Sequence, residues 1–124
     1  MPNPVLIHTE SAKIRHFLAI ADFYIRLGCP EIYEVEPQFD AEYIPDAYTR
    51  LGPNGEAILI EVQRSHISHK QMQKKIDGFV KTYKLGKHDA RTMYLVTDEN
   101  FRFAVPEGFR VERIALKEQK QGVS

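Results

Sequence analysis

The chain has 124 residues, enough for one domain with one hydrophobic core and too few for two. Its composition, 43% hydrophobic, 27% charged and 10% aromatic, is ordinary for a globular protein, and no apolar run approaches the roughly 18 residues of a membrane span. Seventeen acids balance seventeen Lys and Arg, so the formal net charge is zero, which counts against a nucleic-acid binder only if the charge is spread evenly.

Met1-Pro2-Asn3-Pro4 lacks the basic start and apolar core of a signal peptide, so a cytoplasmic location is expected, with no membrane partner. Residues 1–8 form a Pro-containing lead-in. A helix is predicted from Thr9 or Ser11, either of which can cap it, with Ile14, Phe17, Leu18, Ala21 and Ile25 as its buried face. Gly28 ends it and Cys29-Pro30 prevents its continuation. His16 lies beside that face and is read as a packed or surface residue rather than a ligand. Cys29, the single cysteine, excludes an intrachain disulfide and is read as passive.

Glu31–Phe39 alternates apolar and polar residues and is predicted as a strand, with Pro37 imposing a bend, bulge or edge position beside Glu36. Tyr43–Leu51, the turn Gly52-Pro53-Asn54-Gly55 and Ala57–Gln63 then read as a β-hairpin. Its second strand is apolar on both faces up to Glu61, which suits a strand covered on both sides. Asp46 and Glu61 are therefore carboxylates among hydrophobic residues, where an unpaired charge is costly. A hard cation shared across the hairpin is one way to compensate them.

Ser68 and Gln71 have the spacing of a capping box that opens a second helix running to Tyr83. Met72, Ile76, Phe79, Val80 and Tyr83 form its buried stripe, and Leu85-Gly86 closes it. Thr92–Thr97 is predicted as a central strand and Asp98-Glu99-Asn100 as a turn. Phe101–Val105 is open between strand and helix. Phe109–Leu116 is a final strand that an edge position would suit, and residues 117–124 are a polar tail. The order defines a single α/β domain, a mixed sheet flanked by helices, with its core over about residues 9–97.

The charge is not evenly spread. From Glu31 to Glu61 eight acids face Arg50 alone, whereas from Arg64 to Arg91 eight bases face Asp77 and Asp89. An acidic segment followed by a basic one fits a metal site beside a phosphate-binding surface, although two solvated faces of opposite sign would look the same. The second helix carries Lys70, Lys74, Lys81 and Lys84 off its buried stripe and is expected to face DNA. His66 and His69 have no cysteine partner and no third ligand in view, which disfavours zinc. No glycine-rich phosphate loop and no GxSxG elbow is present.

Pro45-Asp46, with Glu61-Val62-Gln63 on the next strand, resembles the motif of the PD-(D/E)XK nuclease superfamily, and the order of elements is similar to its αβββαβ core, that of restriction endonucleases. Further stretches resemble the replication-relaxation family of plasmid and phage proteins: His16–Asp22, Val35-Glu36-Pro37, Ile44–Tyr48, Ile60–Arg64, and Lys75 followed by Phe79. This similarity covers about residues 8–97. Two departures stand out: the chain has no room for the N-terminal winged helix usual in that family, and Gln63 stands where the nuclease motif has lysine. The resemblance implies Lys75 as the substitute, supplied from the following helix.

The resemblance further implies a Mg²⁺ or Mn²⁺ ion held by Asp46, Glu61 and the Val62 carbonyl, with Glu36 at a second ion or in reach through water. Gln63 would orient the attacking water and Lys75 would stabilise charge at phosphorus. Tyr48, Arg64, Lys70, Lys74 and Lys81 would contact DNA. The implied function is metal-dependent DNA cleavage on branched or nicked substrates, with a homodimer addressing two strands. A non-catalytic DNA-binding accessory working with replication proteins is the alternative, and a protein-interaction module is the third.

Overall fold

A computed structural model describes residues 4–117, with side chains from residue 11 onward. Its elements are α1 (Pro4–Arg26), β1 (Tyr33–Val35), β2 (Ala47–Leu51), β3 (Glu56–Val62), α2 (His69–Lys84), β4 (Thr92–Val96) and β5 (Arg110–Ile114). The five strands form one mixed sheet in chain order. β2 runs antiparallel to both β1 and β3, whereas β3, β4 and β5 are parallel. No helix among the described residues is long and apolar enough to cross a membrane.

β3 holds the middle because its sequence is apolar on both faces. Ile58, Ile60 and Val62 pack with Ile20 and Phe23 of α1, while Ala57 and Leu59 pack with Met72, Ile76 and Phe79 of α2. Each of these side chains larger than alanine, fully buried, contributes about 1.5–3 kcal/mol. The α/β class expected from sequence is what this layering gives. The polar tail predicted over 117–124 lies, beyond Lys117, outside the described residues.

Several boundaries move. α1 starts at Pro4, a residue suited to the first turn of a helix because its missing N–H has no partner to lose there. Its buried stripe is Ile20 and Phe23 with Ala19 and Leu27, and the predicted face is the outer one: Ile14 is 58% exposed and Ile25 64%. The helix carries apolar residues on two sides, and the polar His16 hid the true stripe. β1 is only three residues long, ending where Glu36 takes a left-handed φ of 49° just before Pro37. Phe101–Val105 is neither strand nor helix. Its backbone groups are engaged by α2 side chains instead: Arg102 N–H donates to His69 Nδ1, and Ala104 exchanges two bonds with Gln73.

α2 opens with the predicted capping box, Gln71 N–H to Ser68 Oγ at 3.0 Å and Ser68 N–H to Gln71 Oε1 at 2.9 Å. At its last turn Thr82 is buried, and Tyr83 only half-buried. Gly78 lies mid-helix because the Tyr43 ring crosses it closely: a Cβ there would stand 2.8 Å from Tyr43 Cδ1. Gly78→Ala should lower the melting temperature, because overpacking of about 1–3 kcal/mol outweighs a helix-propensity gain of about 1 kcal/mol. In a Tyr43→Ala background the same substitution should stabilise. A rise in melting temperature with Tyr43 in place would show that the ring yields freely.

Candidate functional site

β2 begins one residue after Asp46, although the sequence places Asp46 inside the strand. The Asp46 side chain takes over a ladder role, Oδ2 accepting the Val62 N–H at 2.7 Å. Its Oδ1 lies 2.9 Å from His16 Nε2, so α1 is tied to the same carboxylate. The hydrogen bond to Asp46 raises the His16 pKa above its usual value, against the opposing effect of burial.

Glu61 follows Leu59 by two residues on β3 and therefore shares its face toward α2, where the Lys75 ammonium lies 3.5 Å from Oε2. Glu61 is only 4% exposed. Burial, then the Asp46 charge, raise its carboxyl to about 7, while Lys75 pulls the other way. The buried Tyr43 hydroxyl makes no hydrogen bond of normal geometry among the described residues but lies close to Glu61, in the field of the same two acids. Burial and then Glu61 hold its pKa well above the usual phenol value.

A cleft of about 380 Å³ opens over this cluster, lined by His16, Asp46, Val62, Gln63, Arg64 and Lys75 among others. Glu61 sits just beneath that surface, under Lys75. Gln63 is buried, its backbone N–H on Val96 O and its Nε2 on Ser65 O and Oγ, so its amide nitrogen fixes the turn that leaves β3.

Thus Asp46, Glu61, Val62, Gln63, Lys75 and Arg64 converge at one end of the sheet, and other predicted site residues do not. Glu36 is exposed and meets Asp46 through its backbone N–H alone, outside the cleft lining. Tyr48 is buried in the core with its hydroxyl on Asp89, which removes it from any phosphate. Lys74 and Lys81 line a separate groove beside Asp40, Glu42 and Asp77. Lys70 is exposed outside the cleft lining. His66 pairs with Glu99 at 3.6 Å and His69 accepts from the Arg102 N–H, so neither joins the cluster. His16 is the residue that sequence reasoning missed. Its signal was the spacing His16, Ile20, Phe23, Leu27, which extends the true buried stripe of α1 to the sheet end.

Among the described residues no group of three or more His, Cys, Asp and Glu is placed to hold a metal ion. Two carboxylates do converge, one of them with a raised pKa in an under-compensated setting. That oxygen donor set suits a hard divalent cation that keeps most of its waters, not zinc. Lys75 already occupies the flank of Glu61 for which such a cation would compete. The class that fold and cleft define is an α/β protein with a paired-carboxylate site at a strand end. No family model, no characterised protein and no solved structure matches the chain.

Proposed function

We propose that the chain is a metal-dependent DNA endonuclease of the PD-(D/E)XK type, hydrolysing phosphodiester bonds on branched or nicked DNA and akin to the replication-relaxation proteins. The observation that carries this reading is the convergence of Asp46, Glu61 and Lys75 at one strand end, from a hairpin and the helix that follows it. The element order and a sheet in which β2 alone opposes the other strands support it.

In this reading Asp46, Glu61 and the Val62 carbonyl hold Mg²⁺ or Mn²⁺. The bound ion supplies Lewis acidity and lowers the pKa of the attacking water. His16 fixes the Asp46 carboxylate against α1. Gln63 presents its carbonyl oxygen to the water, its amide nitrogen being spent on Ser65. Lys75, paired with Glu61 in this structure, would stabilise charge at phosphorus, and Arg64 at the cleft rim would contact the flanking backbone. Gln63 at the usual lysine position favours a second reading, a DNA-binding accessory of plasmid or phage replication without cleavage.

The test is incubation of purified protein with linear, nicked, forked and four-way DNA. Cleavage should require Mg²⁺ or Mn²⁺ and stop on chelation. DNA binding with no product from any substrate and either metal replaces the nuclease by the accessory factor.

A further inference from the structure

A second depression lies between α1 and the segment following β5. Arg15, Leu18, Asp22 and Arg26 of α1 line it, with Arg64 from the end of β3 and Lys117 beyond β5. Four cations thus face one carboxylate. Arg64 lines both this groove and the cleft, so the two adjoin at that residue.

The groove is built by specific bonds. Arg26 Nη1 donates to the carbonyls of Ala115 and Leu116 at 2.8 and 3.0 Å, and the Leu116 N–H donates to Asp98 Oδ1 at 2.9 Å. Those contacts hold the segment after β5 against α1 and set Lys117 on the groove wall. Arg26 is consumed in the task. Arg15, Arg64 and Lys117 are exposed, and the ion pairs among the described residues use none of them.

Two of the α2 lysines lie in a different field. Lys74 and Lys81 share their groove with Asp40, Glu42 and Asp77, two cations against three carboxylates, and that groove shares no residue with the cleft. A polyanion is repelled there and attracted along α1.

We infer that the backbone of bound DNA runs from the cleft at Arg64 into the groove between α1 and the chain after β5, with Arg15, Arg64 and Lys117 on its phosphates. The inference rests on the reading of the cleft as a DNA site, and it moves the binding surface off α2.

The experiment is fluorescence anisotropy of the full chain on labelled single-stranded and duplex DNA, with Ca²⁺ in place of Mg²⁺, across a salt series. Arg15→Ala and Lys117→Ala should each weaken binding several-fold and lower the salt slope by about 1. The double reversal Arg15→Glu, Lys117→Glu should weaken binding by more than about tenfold at about 0.1 M salt. Lys74→Ala and Lys81→Ala should stay within about twofold. Both groove positions are exposed, so unchanged melting temperatures will separate lost contacts from lost fold.

Groove variants that bind like wild type, with losses confined to the α2 lysines, overturn the inference even if the protein cuts DNA. Weakened groove variants of a protein that cuts nothing uphold the groove and overturn catalysis alone. Wild-type protein that binds neither DNA form at low salt overturns both.

Discussion

Asp46→Ala and Glu61→Ala should each reduce DNA cleavage by at least about 10²–10³-fold while leaving DNA affinity close to wild type. Either substitution removes one of the two carboxylates that converge at this strand end, and the cleft lining holds no acid besides Asp46 to replace it. DNA affinity survives because the contacts assigned to phosphate come from other residues. The two positions should differ in what their loss of charge does to stability. Asp46→Ala leaves the Val62 N–H without its acceptor and releases His16, a loss on the scale of about 1–3 kcal/mol for an unsatisfied buried donor. Glu61→Gln removes a buried charge that neighbouring Asp46 already opposes, and should cost little. Thermal melts read beside single-turnover cleavage check both halves. Full cleavage by either alanine variant removes that acid from the site.

Lys75→Ala should slow cleavage by about 10²–10³-fold at saturating DNA, whereas Lys74→Ala should leave the chemical step unchanged. The two lysines are adjacent in sequence and separate in space. Lys75 Nζ reaches Glu61 over the sheet end, and Lys74 lines the groove with Asp40 and Asp77. Charge at the transferring phosphorus is stabilised by a cation only where its ammonium can reach, so adjacency along the helix confers nothing. Single-turnover rates at saturating DNA separate the step from binding. A Lys75→Ala variant as fast as wild type assigns that role to another group lining the cleft, His16 or Arg64.

The hairpin, the capping box and the central apolar strand were legible because each rests on local chemistry or a strict period, whereas the Asp46–Glu61–Lys75 grouping came from the family resemblance. Turn residues fix the hairpin, Ser68 and Gln71 fix the helix start, and alternation fixes the face of Glu61. What failed depended on information that periodicity lacks. α1 has two apolar stripes, and choosing between them requires knowing that Ile20 and Phe23 meet Ile58 and Ile60. Tyr48 was placed at DNA by the resemblance, whereas it packs in the core with its hydroxyl on Asp89. The α2 lysines were counted by sign along one helix, while the carboxylates that share a groove with Lys74 and Lys81 come from the loop ahead of β2 as well as from Asp77. His16 was passed over for the same reason as the stripe it belongs to.

The Asp46 carboxylate bonds to α1 through His16 and to β3 through the Val62 amide. It is therefore a strut of the fold as well as a candidate ligand, whereas Glu61 is an electrostatic burden on the folded state. If the chain cuts DNA as proposed, selection for folding alone would keep Asp46 in a lineage that had stopped cutting, and would let Glu61 drift to an apolar residue of similar size. Retention of the glutamate, more than of the aspartate, is thus the mark by which a working descendant can be told from a lapsed one.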